Sequence, residues 1–98
     1  GIIMRFCDLT LPGGWQNWDI NRRTSWLNNP IVKGVEIRHY VCILEIWCEC
    51  LGQSHVSLKK SDSIKIGATL LKHGWKKAGV KPCGPYAMQR VYANPHVV

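Results

Sequence analysis

Acidic residues are nearly missing from the second half of this chain of 98 residues, where Asp62 is the only one after Gly52. Also missing is any apolar run near the ~20 residues that a membrane span needs. Gly1-Ile2-Ile3-Met4 passes at once into Arg5, unlike the layered charge and apolar pattern of a secretory leader. A cytoplasmic protein without membrane attachment is the expectation. No GxxxxGK[ST] phosphate loop occurs, so nucleotide hydrolysis of that type is not expected from these residues.

Metal-ligand spacing is scarce as well. The five cysteines, Cys7, Cys42, Cys48, Cys50 and Cys83, form no CxxC pair, and their odd number argues against a closed disulfide framework. They read as buried free thiols in a reducing compartment, with no metal and no cofactor. Candidate catalytic groups are few. Glu45 and Glu49 stand four apart, one turn of a helix, and are expected on a solvated helix face. Cys83 has His73 or His96 as partners in principle, but no third group to orient either. The chain is therefore expected not to be an enzyme.

What is present is a one-sided positive field. In residues 1–50 five cations balance five anions, whereas residues 51–98 carry seven lysines and Arg90 against Asp62 alone. The whole net charge of +7 lies there, which points to an anionic partner. Solubilising basic surface is the competing reading.

A hydrophobic fraction of 46% and this length suit a single domain, residues 1–98. Residues 1–18, broken by Leu11-Pro12-Gly13-Gly14, are expected to be irregular and to lay Trp15 and Trp18 over the core. Asp19 reads as an N-cap for a first helix, Ile20 to Asn28, with Ile20, Thr24 and Leu27 inward and Arg22 and Arg23 outward. Residues 30–38 form a connector. A very short strand is expected within Ile37 to Val41, then a second helix from about 42 to 51; one helix from 36 to 51 is the alternative. A third helix starts at Ser61 or Asp62 and stops at Gly74, with Ile66 and Leu70 inward and Ile64, Ala68 and Leu71 on an adjoining apolar stripe. Lys65, Thr69 and Lys72 fall on the exposed side. Two extended runs around Val80-Lys81-Pro82-Cys83-Gly84-Pro85 complete the chain as a hairpin.

Helix, short strand, helix, helix and hairpin is the order of a small α+β winged-helix-like domain, with three helices and a C-terminal wing. The basic elements are the third helix and the wing. Lys60, Lys65, Thr69, Lys72, Lys76, Lys77, Lys81 and Arg90 are thus the expected nucleic-acid-binding residues, with duplex DNA as partner and mainly backbone contacts.

Arg38 to Gly52 (RHYVCILEIWCECLG), Ser61 to Trp75 (SDSIKIGATLLKHGW) and Gly84 to Val91 (GPYAMQRV) resemble the C-terminal end of the virulence-associated protein E family. Trp18-Asp19, Arg22-Arg23 and Trp26 resemble what precedes that end. The resemblance implies the C-terminal part of a longer replication protein of a prophage or genomic island, whose parent carries a helicase-like ATPase. It transfers packing positions (Ile46, Trp47, Leu51, Ile66, Leu70, Gly74 and Trp75) and no catalytic set. The alternative function is a protein-interaction or oligomerisation module docking on the parent ATPase through the neutral, tryptophan-rich first half.

Overall fold

The structure, a computed structural model, describes residues 1–97 and begins with an element the sequence did not announce. Ile2–Asp8 forms a helix, α1, which buries Phe6 and Cys7. With the 3₁₀ turn Trp15–Asn17, it replaces the irregular segment expected over residues 1–18. Seven residues without a side-chain cap give too little periodicity to read in advance.

Helix α2 is Ile20–Asn28, with the expected boundaries, and Asp19 Oδ1 accepts from the Arg22 amide at 2.8 Å. Its inward face is not the expected one. Ile20 and Thr24 are exposed, and α2 buries Arg23 and Trp26 instead. Strand β1 is Tyr40–Cys42. Helix α3, Ile43–Glu45, runs on without a break into a π-helical turn, Ile46–Cys50. The wide turn is visible in the Leu51 amide donating to Ile46 O at 3.0 Å.

Helix α4, Lys60–Lys72, starts slightly earlier than Ser61 or Asp62. Asp62 acts as the third helical residue, its carboxylate reaching back to the Lys59 amide at 3.1 Å. The far end is a Schellman closure: the Trp75 amide donates to Leu70 O at 3.0 Å and the Gly74 amide to Leu71 O at 3.1 Å. Gly74 supplies the required positive φ of 88°. This turn drops Trp75, 1% exposed, into the core beside Leu70.

Strands β2, Lys76–Pro82, and β3, Met88–Ala93, form the expected hairpin, although Val80 to Pro82 belong to the strand and not to the turn. The antiparallel sheet has the order β1-β3-β2. Val41 pairs with Tyr92 on one side of β3, and Lys77 pairs with Tyr92 on the other. The register slips between Lys77 and Val80, at Gly79 (φ 79°), which bends the hairpin. Among the described residues the fold is thus α+β, four helices and one three-stranded antiparallel sheet. Among the described residues no helix is long and apolar enough to cross a membrane.

Three clusters fill the interior among the described residues. Phe6, Val41, Ile46, Ile66, Leu70 and Trp75 join α1, β1, the π turn and α4. Cys42, Leu44, Cys83, Tyr86 and Val91 join β1 and α3 to the hairpin and its tip. Trp15 and Trp26 pack edge to face, ring centres 5.5 Å apart, so both act as core cover.

Candidate nucleic-acid interface

The hairpin crosses α4 because Gly67 leaves room for it. A side chain on Gly67 would meet Tyr92 Oη at 2.7 Å, so the hydroxyl of β3 rests on the helix backbone. Beside this crossing α4 and the hairpin part, leaving a groove of about 700 Å³. Its floor is apolar: Ile43, Leu58, Ile64, Leu71 and Tyr92. Lys60 of α4, Lys77 of β2, Arg90 of β3 and His55 also line it, and no carboxylate does.

The groove gathers three of the eight expected residues. Lys65 and Thr69 line a smaller depression with Ile3, Trp47, Leu51 and Asp62, not the groove. Thr69 is half-buried, and its hydroxyl donates to Lys65 O at 3.1 Å, so it is spent inside the helix. Lys72 and Lys76 are exposed near the end of α4 and the start of β2. Lys81 turns elsewhere, its Nζ 5.5 Å from the centre of the Tyr40 ring. Tyr40 itself borders a different hollow, with Leu11, Glu36 and His39.

Among the described residues the ion pairs all join Arg23 or Arg38 to Glu45 or Glu49, so none of the eight has an acidic partner. Their charge is available to an external anion. Sequence reasoning missed the groove floor. Ile64 and Leu71, expected on a buried stripe, are 62% and 48% exposed. Apolar residues covering more of a helix than one face is the signal that was there to find.

The largest departure lies in the interior. Glu45 and Glu49 do not form a solvated helix face; their side chains are 0% exposed. Arg23 Nη1 donates to Glu45 Oε2 and to Glu49 Oε2, both at 3.0 Å, and Arg23 Nη2 donates to Trp15 O at 2.9 Å. Arg38 Nη1 donates to the same Glu45 Oε2 at 2.9 Å. Glu45 Oε1 accepts from the Cys83 thiol at 3.1 Å and the Cys42 amide at 3.2 Å. Tyr86 Oη donates to Glu49 Oε2 at 2.5 Å. Two carboxylates and two guanidiniums balance in charge, as buried ions must. Cys83 and Tyr86 belong to the hairpin tip, so this network fastens the tip to the core.

The Cys83 thiol is held protonated by its hydrogen bond with Cys42 and by burial, and burial pushes Cys7 up to about 12. Cys83 stands in the connection between β2 and the 3₁₀ turn Gly84–Tyr86 and is 0% exposed. Cys42, Glu45 and Cys83 bring ligand-type atoms within 4.8 Å of one another, a grouping absent from the sequence spacing. A dication there would lie beside two guanidiniums already paired with Glu45, so the arrangement favours packing over metal binding. No protein-family model, no curated protein and no solved structure matches the chain.

Proposed function

We propose that this chain is a winged-helix-type module that binds DNA through its phosphate backbone. The observation that carries this reading is the groove, where Lys60, Lys77 and Arg90 come from a helix and two strands to border one surface without an acidic neighbour. The strand order β1-β3-β2, with α2 before β1 and α3 and α4 between β1 and the hairpin, is the connectivity a winged helix requires. Because the tip is tied down, the wing would meet DNA along its length, through Lys77 and Arg90, which share the face that Tyr92 presents to the groove. Lysine-rich contacts reward phosphates more than base edges, so sequence preference is weak. The module would be the C-terminal part of a mobile-element replication protein, as its resemblance to the virulence-associated E family suggests.

The test is duplex binding measured across a salt series by fluorescence anisotropy. Log affinity falls with log salt at about −0.9 per phosphate contact, so three groove contacts give a slope of about −2.7. No binding at low salt, or a flat response, removes the reading.

A docking role is the second reading. Its tryptophan form has little surface to use, since Trp15 and Trp26 are 2% and 9% exposed and Trp18 is half-buried beside the Arg22 guanidinium. The connector favours it instead, because Ile31, Val32, Val35 and Ile37 are all more than half exposed. Light scattering across a concentration series, with and without DNA, separates self-association through that patch from DNA binding.

A further inference from the structure

We infer that the groove between α4 and the hairpin seats unpaired bases, so that the DNA held best is a duplex carrying a single-stranded tail. This rests on the DNA-binding reading above. Phosphates account for Lys60, Lys77 and Arg90, but not for the floor between them. That floor holds Ile64 and Leu71, two large aliphatic side chains left open to solvent, beside Tyr92. An intact duplex hides the faces of its bases and offers a charged backbone, which leaves such a floor wet. A single strand brings apolar base faces and phosphates together. The groove matches both, with an apolar bed and cations along its border.

Three of the lining groups are planar: the Tyr92 ring, the Arg90 guanidinium and the His55 imidazole. These are the side chains on which unstacked bases lie. The volume of about 700 Å³ falls within the roughly 300–1,000 Å³ of sites that enclose small ligands. The absence of lining carboxylates leaves nothing to repel the connecting phosphates. An acidic peptide with apolar anchors is the rival occupant, and the planar groups favour the nucleotide.

The experiment compares anisotropy of a blunt duplex, the same duplex with a short oligothymidine tail, and free oligothymidine. The probes meet the wild type, Ile64→Gln and Leu71→Gln. Both substitutions keep the charge and replace exposed side chains, and circular dichroism checks the fold. The wild type is expected to hold the tailed duplex about tenfold tighter than the blunt one. Each variant is expected to lose that advantage, read as a tailed-to-blunt affinity ratio that falls to about one. Equal affinity for tailed and blunt duplex overturns the inference and leaves the DNA reading standing. A tail advantage that survives both substitutions overturns it too, since the strand then seats elsewhere. Failure of every DNA at low salt removes both. A glutamate-rich peptide with leucines along one helical face is the last probe. If it binds and is lost in both variants, while the tail adds nothing, the groove belongs to a protein partner and the inference falls.

Discussion

Gly84 lies directly against the guanidinium of Arg23, with no space between them for a side chain. A methyl group there would collide with Arg23 Nη2 and stand 2.7 Å from Cζ. Arg23 has no freedom to retreat, because it already donates to Glu45, Glu49 and Trp15 O. Gly84 also has a φ of 54°. Gly84→Ala is therefore expected to cost more than the ~1 kcal/mol of an ordinary positive-φ glycine. Gly52→Ala is the control: its φ is 65°, and nothing lies within 4 Å of its added Cβ. Urea midpoints should fall further for Gly84→Ala than for Gly52→Ala, and equal falls would show that the contact with Arg23 is soft.

Arg22 and Arg23 are adjacent in sequence and opposite in circumstance. Arg22 is exposed, its guanidinium 3.9 Å from the centre of the Trp18 ring, while Arg23 is 0% exposed. Removing Arg23 leaves Glu49 with Tyr86 as its only side-chain donor and takes one of two guanidiniums from Glu45. Arg23→Ala should cost about 3–5 kcal/mol, the penalty for stranding a buried charge. Arg23→Lys should still cost, since a single ammonium cannot reach three acceptors in the planar fork geometry. Arg22→Ala should cost under about 1 kcal/mol. Denaturant unfolding of the three variants checks the order.

Glu49 sets a pH dependence of unusual sign. Burial raises its pKa above the ordinary 4.5, and the neighbouring Glu45 charge adds to this; Arg23 and Tyr86 pull the other way but do not cancel it. The direction is consistent with geometry, because Glu49 Oε1 is buried and has no hydrogen-bond partner. A carboxyl whose folded pKa is raised binds its proton more tightly in the folded state. Its contribution is present below the unfolded value and is lost as pH rises through the folded one. Glu49→Gln keeps an acceptor for Tyr86 and cannot ionise. The stability of wild type relative to Glu49→Gln should therefore fall as pH rises from about 4.5. Urea unfolding from pH 4 upward reads this, and a difference that moves the other way would place the Arg23 pairing above burial.

The elements that punctuate themselves were legible in sequence. Asp19 and Asn29-Pro30 bracket α2, Gly74 closes α4, and the proline and glycine run turns the hairpin. Partners distant along the chain were not. Nothing local tells Glu45 that it will face Arg23, 22 residues away, and Cys83, 38 residues away. Charged residues are rarely buried, so a solvated Glu45–Glu49 face was the natural expectation. The same reasoning sent Arg23 outward and Ile20 inward. The cations after Gly52 were legible as a set, but their faces depend on the bulge at Gly79 and the tied-down tip, which no local pattern encodes.

Those faces make the cations unequal. Lys77 and Arg90 flank the groove from neighbouring strands, while Lys81 lies over the ring of Tyr40, which does not line the groove. A nucleic acid seated against α4 and the flat of the hairpin meets the first two and not the third. Lys77→Glu and Arg90→Glu should each weaken duplex binding more than tenfold and reduce the salt slope by about one. Lys81→Glu should reduce affinity less and leave the slope nearly unchanged, since its effect is a long-range one screened beyond about 10 Å at 0.1 M salt. All three side chains are exposed and lack ion pairs, so unfolding free energies from urea titration should change by under about 0.5 kcal/mol. Equal losses for Lys81→Glu and Lys77→Glu would mean that the bound anion covers the hairpin tip rather than the groove.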